Sequence, residues 1–339
     1  MNSDRLHAIA TRYASLRVAL VGDFCLDRYL EIDPARAEIS IETGLAVHNI
    51  VSVRSQPGGA GTILNNLAAL GVGEIWPVGF YGEDGEGYEL RRALKAISGA
   101  RLDHFIETPA RRTFTYCKPL VLESGQSPRE LNRLDSKNWT PTPETVSARL
   151  VAAVRALGDS VDAIILLDQV DVVATGVVTA GVLNEISALT KRRPELLILA
   201  DSRRGLRDFP QIVYKMNRAE LAALTGADAA ADVAGVKAAV ARLARKTGQR
   251  VFVTLSEEGI IGADASGAVE HVPSRPVRGK IDIVGAGDAV TANLAATLAA
   301  GAELREAMEI AMAAASSVVH QLGTTGTASV AQLHGMLIR

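Results

Sequence analysis

Residues 282–288 read Asp-Ile-Val-Gly-Ala-Gly-Asp, which places two glycines and a carboxylate directly before a segment of helical composition. Gly285 and Gly287 allow a tight turn in which successive backbone N–H groups point to one place. The Ala- and Leu-rich segment from Ala289 to Ala300 predicts a helix whose positive end faces the same place. The turn is therefore typical of a site for a phosphate in transfer. Asp288 is either the cap of that helix or a base beside the anion.

Further acidic and amide side chains stand directly after apolar segments that predict buried strands. They are Asp23, Asp27, Asp168, Asp201 and Asn217. In an open parallel sheet the carboxyl ends of the strands share one edge, where ligands bind. Each such residue alone is more often a turn or cap residue. Together, beside a glycine-rich anion site, they predict hydroxyl recognition, a proton acceptor and magnesium held through water.

The elements that would position these residues alternate between strands and helices. Predicted strands are 17–22, 75–80, 163–167, 196–200 and 251–255, with a hairpin at 260–263 and 269–272 and an extended segment at 276–284. Predicted helices are 62–70, 86–97, 143–157, 179–191, 232–247 and 289–300. This alternation predicts a mainly parallel sheet covered by helices on both faces. Because there is no repeat or long linker, one α/β domain is expected over residues 1–339.

Two segments depart from this alternation. Residues from about 28 to 57 carry apolar side chains among polar ones with no helical period, and residues 105 to 135 contain short alternating runs such as Thr113-Phe-Thr-Tyr-Cys. Both patterns predict short strands. We expect the two segments to form a small sheet that acts as a lid over the site. The open edges of such strands favour the pairing of two lids in a homodimer.

The overall composition narrows the class of protein. A 339-residue chain with 48% hydrophobic and 22% charged residues is typical of a soluble globular protein. Its net charge of −2 offers no basic field for nucleic acid or anionic lipid, so the expected partner is a small molecule. Cys25 and Cys117 stand apart without a metal-binding spacing, which fits a reduced compartment. No signal-peptide pattern or membrane-length apolar run is present, so we expect a cytoplasmic protein.

Several alternative motifs are missing from the sequence. There is no GxxxxGK[ST], which excludes a P-loop, and no GxGxxG follows the first predicted strand, which argues against a dinucleotide site. The HExxH and GxSxG motifs of metalloproteases and hydrolases are also missing. The glycine-rich turn at 282–288 is therefore the main candidate for a phosphate site.

Three motifs together make the chain similar to sugar kinases of the ribokinase (PfkB-type) family over nearly its whole length. Residues 22–27, Gly-Asp-Phe-Cys-Leu-Asp, resemble the family's first sugar-contacting strand end. Residues 57–61, Pro-Gly-Gly-Ala-Gly, resemble its Gly-Gly motif, and residues 282–288 resemble its signature D-x-T-G-A-G-D. The resemblance implies a ribokinase-like three-layer α/β/α fold with a small β-sheet lid. It also implies an ATP-dependent kinase that acts on a sugar or sugar phosphate.

The resemblance further implies a role for each matching residue. The base would be Asp288, and the anion hole would consist of the backbone amides of Gly285, Ala286 and Gly287. The sugar would be held by Asp23, Asp27, Gly58, Gly59 and Asp168. The nucleotide side would comprise Asn217, Glu220, Ser256 and Gly259. Glu220 would hold Mg²⁺ through water, and Asp282 would be the candidate for a monovalent cation such as K⁺.

Within the family the likeness is strongest to the heptose-7-phosphate kinase branch, the kinase domain of ADP-heptose synthase. Residues 133–135, Arg-Leu-Asp, resemble its R-x-D lid strand, and residues 322–327, Leu-Gly-Thr-Thr-Gly-Thr, resemble its C-terminal loop. Arg111 and Arg112 are either solvated surface arginines or contacts for a substrate phosphate. The sequence departs from the branch at Thr62, Val284, Met312 and residues 201–203. The identity of the sugar, the nucleotide preference and the cation site therefore stay open.

Two other functions fit part of the same pattern. A nucleoside kinase of this family, such as an adenosine kinase, would need aromatic side chains near the Gly-Gly helix to stack a base, and none cluster there. A ligand-binding protein that kept the fold and lost turnover would explain the departures at Thr62, Val284 and Met312. The base and the anion hole favour a kinase over both.

Overall fold

The apolar segments of the sequence supply most strands of three β-sheets in the computed structural model, which describes residues 1–338. The strands are β1 (Arg17–Gly22), β2 (Phe24–Ile32), β3 (Glu38–Ile39), β4 (Ala46–Val47), β5 (Ile50–Gly59), β6 (Glu74–Gly82), β7 (Phe105–Thr108), β8 (Thr115–Val121), β9 (Arg129–Glu130), β10 (Ala163–Asp168), β11 (Leu197–Ser202), β12 (Val213–Asn217), β13 (Val251–Thr254), β14 (Ile260–Ala263) and β15 (Val269–Val272). Strands β3 and β4 form a separate small hairpin.

Helices connect most of the strands. They are α1 (Ser3–Tyr13), α2 (Ala60–Ala69), α3 (Gly85–Lys95), α4 (Glu144–Gly158), α5 (Ala180–Arg192), α6 (Arg218–Thr225), α7 (Val233–Thr247), α8 (Ala286–Ala299), α9 (Leu304–Val318) and α10 (Val330–Leu337). Across residues 1–338, none of the helices combines the length and the apolar character needed to cross a membrane. The predicted extended segment at 276–284 is wrong, because this stretch is an irregular loop.

The central sheet of the described residues has the order β15-β14-β13-β12-β11-β10-β1-β6-β7. Its strands run parallel from β7 to β13, and β14 and β15 add an antiparallel hairpin at one edge. The predicted mainly parallel sheet and its hairpin are therefore confirmed. Because the parallel strands end at one edge, Asp168, Asp201 and Asn217 all reach that edge.

Alternate residues of β1 face opposite sides of this sheet. Val18 and Leu20 belong to a core that contains residues of α1, α2, α8 and α9. Ala19 and Val21 belong to a second core, which contains residues of α4, α5 and α7. Successive side chains of a strand point to opposite faces, so a strand that is apolar throughout needs helices on both. The result is the predicted three-layer α/β/α arrangement.

The smaller sheet, called the lid below, has the order β5-β2-β8-β9. Its strand β2 pairs antiparallel with β5 and parallel with β8. The lower boundary of the second predicted lid segment, at residue 105, is wrong. Phe105–Thr108 is β7 and pairs with β6 in the central sheet, because Phe105 and Ile106 are buried in its two cores. The second lid segment therefore begins near Thr115.

Candidate active site

The glycine-rich turn before α8 lies at the centre of the site. Gly285 occupies the cap position with a φ of 82°, a left-handed conformation that favours glycine. The N–H groups of Gly285, Gly287 and Asp288 donate to no acceptor within residues 1–338. The N–H of Ala286, in contrast, donates to the carbonyl oxygen of Ile283 at 3.2 Å. The turn thus offers converging donors to an anion, although the expected donor at Ala286 is already engaged.

Asp288 is the third residue of α8, so the alternative that it caps the helix is wrong. Burial, followed by the charge of Asp201, raises the pKa of Asp288 to about 7, although Lys215 opposes this shift. A carboxylate whose pKa lies near neutral pH is suited to accept a proton from a hydroxyl. Asp288 lies beside the free N–H groups of the turn. A hydroxyl that gives its proton to Asp288 would therefore lie next to an anion bound by these N–H groups.

A buried ion pair adjoins the turn and was missed by the sequence analysis. Lys215 Nζ lies 2.7 Å from Asp201 Oδ2, which also accepts a hydrogen bond from Thr291 Oγ1 at 2.8 Å. Burial works against the charge of Lys215, but the Asp201 carboxylate outweighs it and the pKa of Lys215 is raised. Lys215 Nζ is also 3.4 Å from the position that a Cβ on Gly287 would occupy. An ammonium group therefore lies beside the anion-binding N–H groups.

The first lid strand places Asp27 at the floor of the site. Asp27 is buried, and Lys118 Nζ lies 3.5 Å from its Oδ1. Burial raises the pKa of Asp27, and Lys118 opposes this shift. A Cβ on Gly58 would lie 2.5 Å from Asp27 Oδ2, and Gly59 has a φ of 57° that favours glycine. Gly58 thus lets strand β5 pass close to the Asp27 carboxylate, whereas a Cβ on Gly59 would lie 2.5 Å from the carbonyl oxygen of Asp23.

Asp23 is a buried carboxylate that is bound by backbone N–H groups. Its carboxylate is 2% exposed and accepts hydrogen bonds from the N–H groups of Gln169 at 2.8 Å, Val170 at 3.3 Å and Val177 at 2.7 Å. Burial, and next the charge of Asp168, raises the pKa of Asp23 to about 7. Both oxygens accept backbone hydrogen bonds, so Asp23 holds the loop between β10 and α5 in place. Its contact with the sugar stays a prediction.

Asp168 retains an oxygen without a partner. Its Oδ2 accepts from Ser202 Oγ at 2.8 Å and from Arg204 at 2.7 Å. Its Oδ1 is buried and has no hydrogen-bond partner within residues 1–338. Burial raises the pKa of Asp168, against the effects of Ser202 and Arg204. The free oxygen leaves Asp168 able to accept a hydrogen bond from a hydroxyl.

The two arginines that were candidates for a substrate phosphate have structural partners. Arg111 is buried and donates to the Thr140 carbonyl at 2.8 Å. Arg112 is exposed and lies 3.7 Å from Asp84. Of the two alternatives, a solvated surface arginine is therefore wrong for Arg111 and fits Arg112. Lys118 and Arg133 are the cations that lie near Asp27, since both lower its pKa.

A cavity of about 500 Å³ reaches the turn on the side that is predicted to bind the nucleotide. Its wall includes the predicted Ser256 and Gly259 together with Val290 and Met312, and it ends at Gly287. Gly259 has a φ of 93°, and a Cβ there would lie 2.1 Å from the carbonyl oxygen of Val272. The cavity is thus largely apolar, and Gly259 and Gly287 both line it. A flat aromatic base fits such a cavity.

Asn217 and Glu220 form the capping box of α6. Asn217 Oδ1 accepts from the Glu220 N–H at 2.9 Å, and Glu220 Oε2 accepts from the Asn217 N–H at 2.7 Å. Burial raises the pKa of Glu220, and Asp201 adds to the effect. A divalent cation would relieve this repulsion between carboxylates, so Glu220 and Asp201 fit magnesium held through water. Within residues 1–338, no cluster of three or more His, Cys, Asp or Glu residues is placed to hold a metal alone.

Comparison with known proteins places the chain among carbohydrate kinases. The family model described as "pfkB family carbohydrate kinase" matches residues 24–331. The chain is 33% identical over 325 residues to the bifunctional protein HldE of Gluconacetobacter diazotrophicus, and 34% identical over 324 residues to that of Rhodospirillum rubrum. These matches cover 95% and 94% of this chain. They cover 63% and 62% of the relatives, so the chain spans less than two thirds of their length.

Solved structures share the fold. Arabidopsis thaliana ribokinase complexed with ribose and ATP matches with a TM-score of 0.68 at 20% identity, over 95% of this chain and 98% of that one. Phosphofructokinase-2 from Escherichia coli in complex with substrates and products matches with a TM-score of 0.72 at 20% identity, over the same shares. The structure of that enzyme in complex with potassium matches with a TM-score of 0.68 at 18% identity, again over the same shares. The ribokinase-like fold expected from the sequence is confirmed.

Proposed function

This chain belongs to the pfkB family of carbohydrate kinases, and we propose that it transfers the γ-phosphoryl group of ATP to a hydroxyl of a sugar or sugar phosphate. The observation that carries the proposal is the position of Asp288. Its carboxylate, with a pKa of about 7, adjoins free N–H donors of α8 and the field of Lys215. Phosphoryl transfer needs an acceptor oriented by a base and positive groups around the transferred phosphate, and this one place offers both.

In this mechanism Asp288 accepts the proton of the acceptor hydroxyl, and the oxygen of that hydroxyl attacks the γ-phosphorus of ATP. The bond between the γ-phosphorus and the bridging oxygen breaks, and ADP leaves with the electron pair. The N–H groups of Gly287 and Asp288 donate to the phosphoryl oxygens, and the ammonium of Lys215 offsets their charge. Because the transition state spreads negative charge over these oxygens, donors fixed in advance lower the barrier.

The acceptor lies, in this proposal, between Asp27 and Asp288. Asp27 and the free Oδ1 of Asp168 accept hydrogen bonds from sugar hydroxyls, and Gly58 and Gly59 leave room for the ring. Lys118 and Arg133 are the candidates for binding a substrate phosphate, although each already pairs with a carboxylate, Asp27 at 3.5 Å and Asp135 at 2.9 Å. Arg133 also stacks on the Tyr116 ring with 4.8 Å between its Cζ and the centroid. Heptose 7-phosphate is the first candidate, given the resemblance of residues 133–135 and 322–327 to that branch.

The donor lies on the other side of the turn. The adenine base of ATP occupies the apolar cavity past Ser256 and Gly259, and its phosphates reach Gly287. Glu220 and Asp201 would hold Mg²⁺ through water, and the ion would supply charge neutralisation on the phosphates. Asp282 is our candidate for a monovalent cation. Its Oδ1 accepts the Val284 N–H at 3.0 Å, and its own N–H donates to the Val319 carbonyl at 2.8 Å.

The direct test is release of ADP from Mg·ATP across a panel of acceptors. The panel contains heptose 7-phosphate, fructose 6-phosphate, ribose and adenosine, which also tests the nucleoside-kinase alternative. We expect turnover with a sugar phosphate and loss of it in Asp288→Asn. Asp208→Asn, which changes an exposed carboxylate, is the matched control and should retain activity. Equal phosphorylation by the wild type and Asp288→Asn would show that Asp288 is not the base.

The lid is proposed to close over the acceptor and to join two copies of the chain. On the hairpin of β3 and β4, Ile39, Ile41 and Leu45 are each more than 60% exposed, and Val51 and Val53 of β5 are also exposed. Such a cluster of apolar side chains on a small sheet with an open edge is costly to leave in water. Pairing of two lids in a homodimer would cover both the cluster and the edge.

A further inference from the structure

The side-chain amide of Gln56 joins the lid to the C-terminal loop of residues 322–327. Gln56 lies on β5, directly opposite Asp27 of β2. Thr324 Oγ1 donates to Gln56 Oε1 at 3.0 Å, and Gln56 Nε2 donates to Thr325 Oγ1 at 3.2 Å. Neighbouring hydroxyls of the same loop therefore hold both ends of one planar amide.

The same loop packs against the turn that binds the phosphoryl group. Thr325 Cβ lies 3.3 Å from the position that a Cβ on Gly285 would occupy, and Thr62 Cγ2 lies 3.4 Å from it. Gly285 caps α8, and its carbonyl accepts the first helical hydrogen bond, from the Ala289 N–H at 2.9 Å. A displacement of Thr325 therefore acts on the residue that starts the first turn of α8.

The far end of the loop is fixed to the core rather than to the lid. Asn66 of α2 donates to the Gly326 carbonyl at 3.3 Å. Gln321 Nε2 donates to the Thr327 carbonyl at 2.7 Å, and the Thr327 N–H donates to Gln321 Oε1 at 3.2 Å. These bonds hold residues 326–327, so the part of the loop that contacts the lid is the part that contacts Gly285.

We propose that Gln56 is a positioning residue that makes the geometry of the phosphoryl-binding turn depend on the lid. In the arrangement described here, its amide holds Thr324 and Thr325 against Gly285 and keeps the N–H donors of the turn aligned. Movement of β5 away from the core breaks both hydrogen bonds and removes the packing partner of the turn. A protein with its lid open then transfers phosphoryl groups slowly, even to water. The kinetic part of this inference rests on the proposed function.

Amide hydrogen exchange of the unliganded protein tests the link without any substrate. Gln56→Leu removes both hydrogen bonds at similar side-chain size, and Thr325→Val removes the hydroxyl but keeps the branched Cβ that packs on Gly285. Gln126→Leu, in an exposed lid loop, is the matched control. Residues 289–291 carry the first protected amides of α8. Their exchange should rise about fivefold to tenfold in both variants, which corresponds to one or two neutral hydrogen bonds, and not in the control.

The double variant Gln56→Leu/Thr325→Val shows whether the two substitutions disturb the same contact or act independently. If the amide and the hydroxyl act through the same contact, exchange in the double variant is no faster than in the faster single variant. Additive effects would overturn the proposal. So would faster exchange confined to residues 322–327 with α8 unchanged, because the loop would then loosen without affecting the turn.

Hydrolysis of Mg·ATP with water as the acceptor supplies a kinetic test. Gln56→Leu should lower kcat about fivefold to tenfold and leave the KM for ATP within about twofold, because the adenine cavity lies beyond the turn. An unchanged kcat, or an effect on KM alone, would contradict the coupling. If the wild type neither hydrolyses ATP nor phosphorylates a sugar, the proposed function fails, and hydrogen exchange still decides the coupling.

Discussion

Replacing Asp288 by asparagine should make the protein more stable at alkaline pH while it removes the proposed base. Burial and the neighbouring Asp201 disfavour the charged form of the carboxylate, and this raises the pKa of Asp288 from 3.8 to about 7. The folded state therefore binds more protons than the unfolded state between these two values. Stability falls as the pH rises through that window, because folding then has to keep an ionised carboxylate in an unfavourable place. Asp288→Asn cannot ionise and escapes this loss.

The size of the effect follows from the two pKa values. At pH 8 the ionised carboxylate costs on the order of 4 kcal/mol, and at pH 5 the cost is about 2 kcal/mol. For a chain of this length the unfolding entropy at the midpoint is roughly 0.7 kcal/mol per degree. The melting temperature of Asp288→Asn should therefore exceed that of the wild type by about 6 °C at pH 8 and by about 3 °C at pH 5.

Differential scanning calorimetry at the two pH values measures this difference, with Asp208→Asn as the exposed control that should change neither value. ADP release at pH 8 should fall by about 10²–10⁴-fold in Asp288→Asn and not in the control. A lower melting temperature than the wild type at pH 8, or an equal gain at both pH values, would refute the reasoning. Either result would mean that Asp288 does not become charged against the cost of burial.

Other perturbations probe the neighbours of the turn. Lys215→Met leaves the Asp201 carboxylate unpaired, so the free energy of unfolding should fall by about 3–5 kcal/mol in a denaturant titration; an unchanged value would show that the pair contributes little. Asp201→Asn should move the acid limb of the kcat/KM profile to lower pH, because Asp201 raises the pKa of Asp288; a limb moved upward would contradict this. Met312→Glu should raise the KM for ATP roughly tenfold or more by burying a carboxylate in the adenine cavity, with the KM for the acceptor as control. Val53→Asp should convert the proposed dimer to a monomer in gel filtration, and a monomeric wild type would refute the lid interface.

The strand ends of the site were predictable because each follows a short apolar run. Asp168 and Asp201 end β10 and β11 as expected, since runs that are apolar throughout have to lie in the middle of a covered parallel sheet. Phe105–Thr108 was assigned to the wrong sheet. Four residues do not specify a pairing partner, and what decides it is the stacking of Phe105 on Tyr81, with ring centroids 5.0 Å apart.

Side-chain roles could not be predicted where the partner lies far along the chain. The donors that occupy Asp23 include the N–H of Gln169, 146 positions away. Lys215 shows no motif by itself, and only its pairing with Asp201 on the neighbouring strand explains a lysine in a buried strand. A lysine within an apolar strand nevertheless predicts a buried carboxylate partner, because a buried charge has to be paired.

Strand β5 continues into α2 through Gly58 and Gly59 without an intervening loop. The lid and the proposed sugar site are thus joined by a single uninterrupted piece of chain, which contains Gly59 with its φ of 57°. We expect the lid to pivot at this glycine. Ten residues of strand reach roughly 33 Å, so a rotation of about 10° at this pivot moves the far end by about 6 Å. A small change of backbone angle at Gly59, beside the proposed sugar site, therefore produces a large displacement of the opposite end of β5.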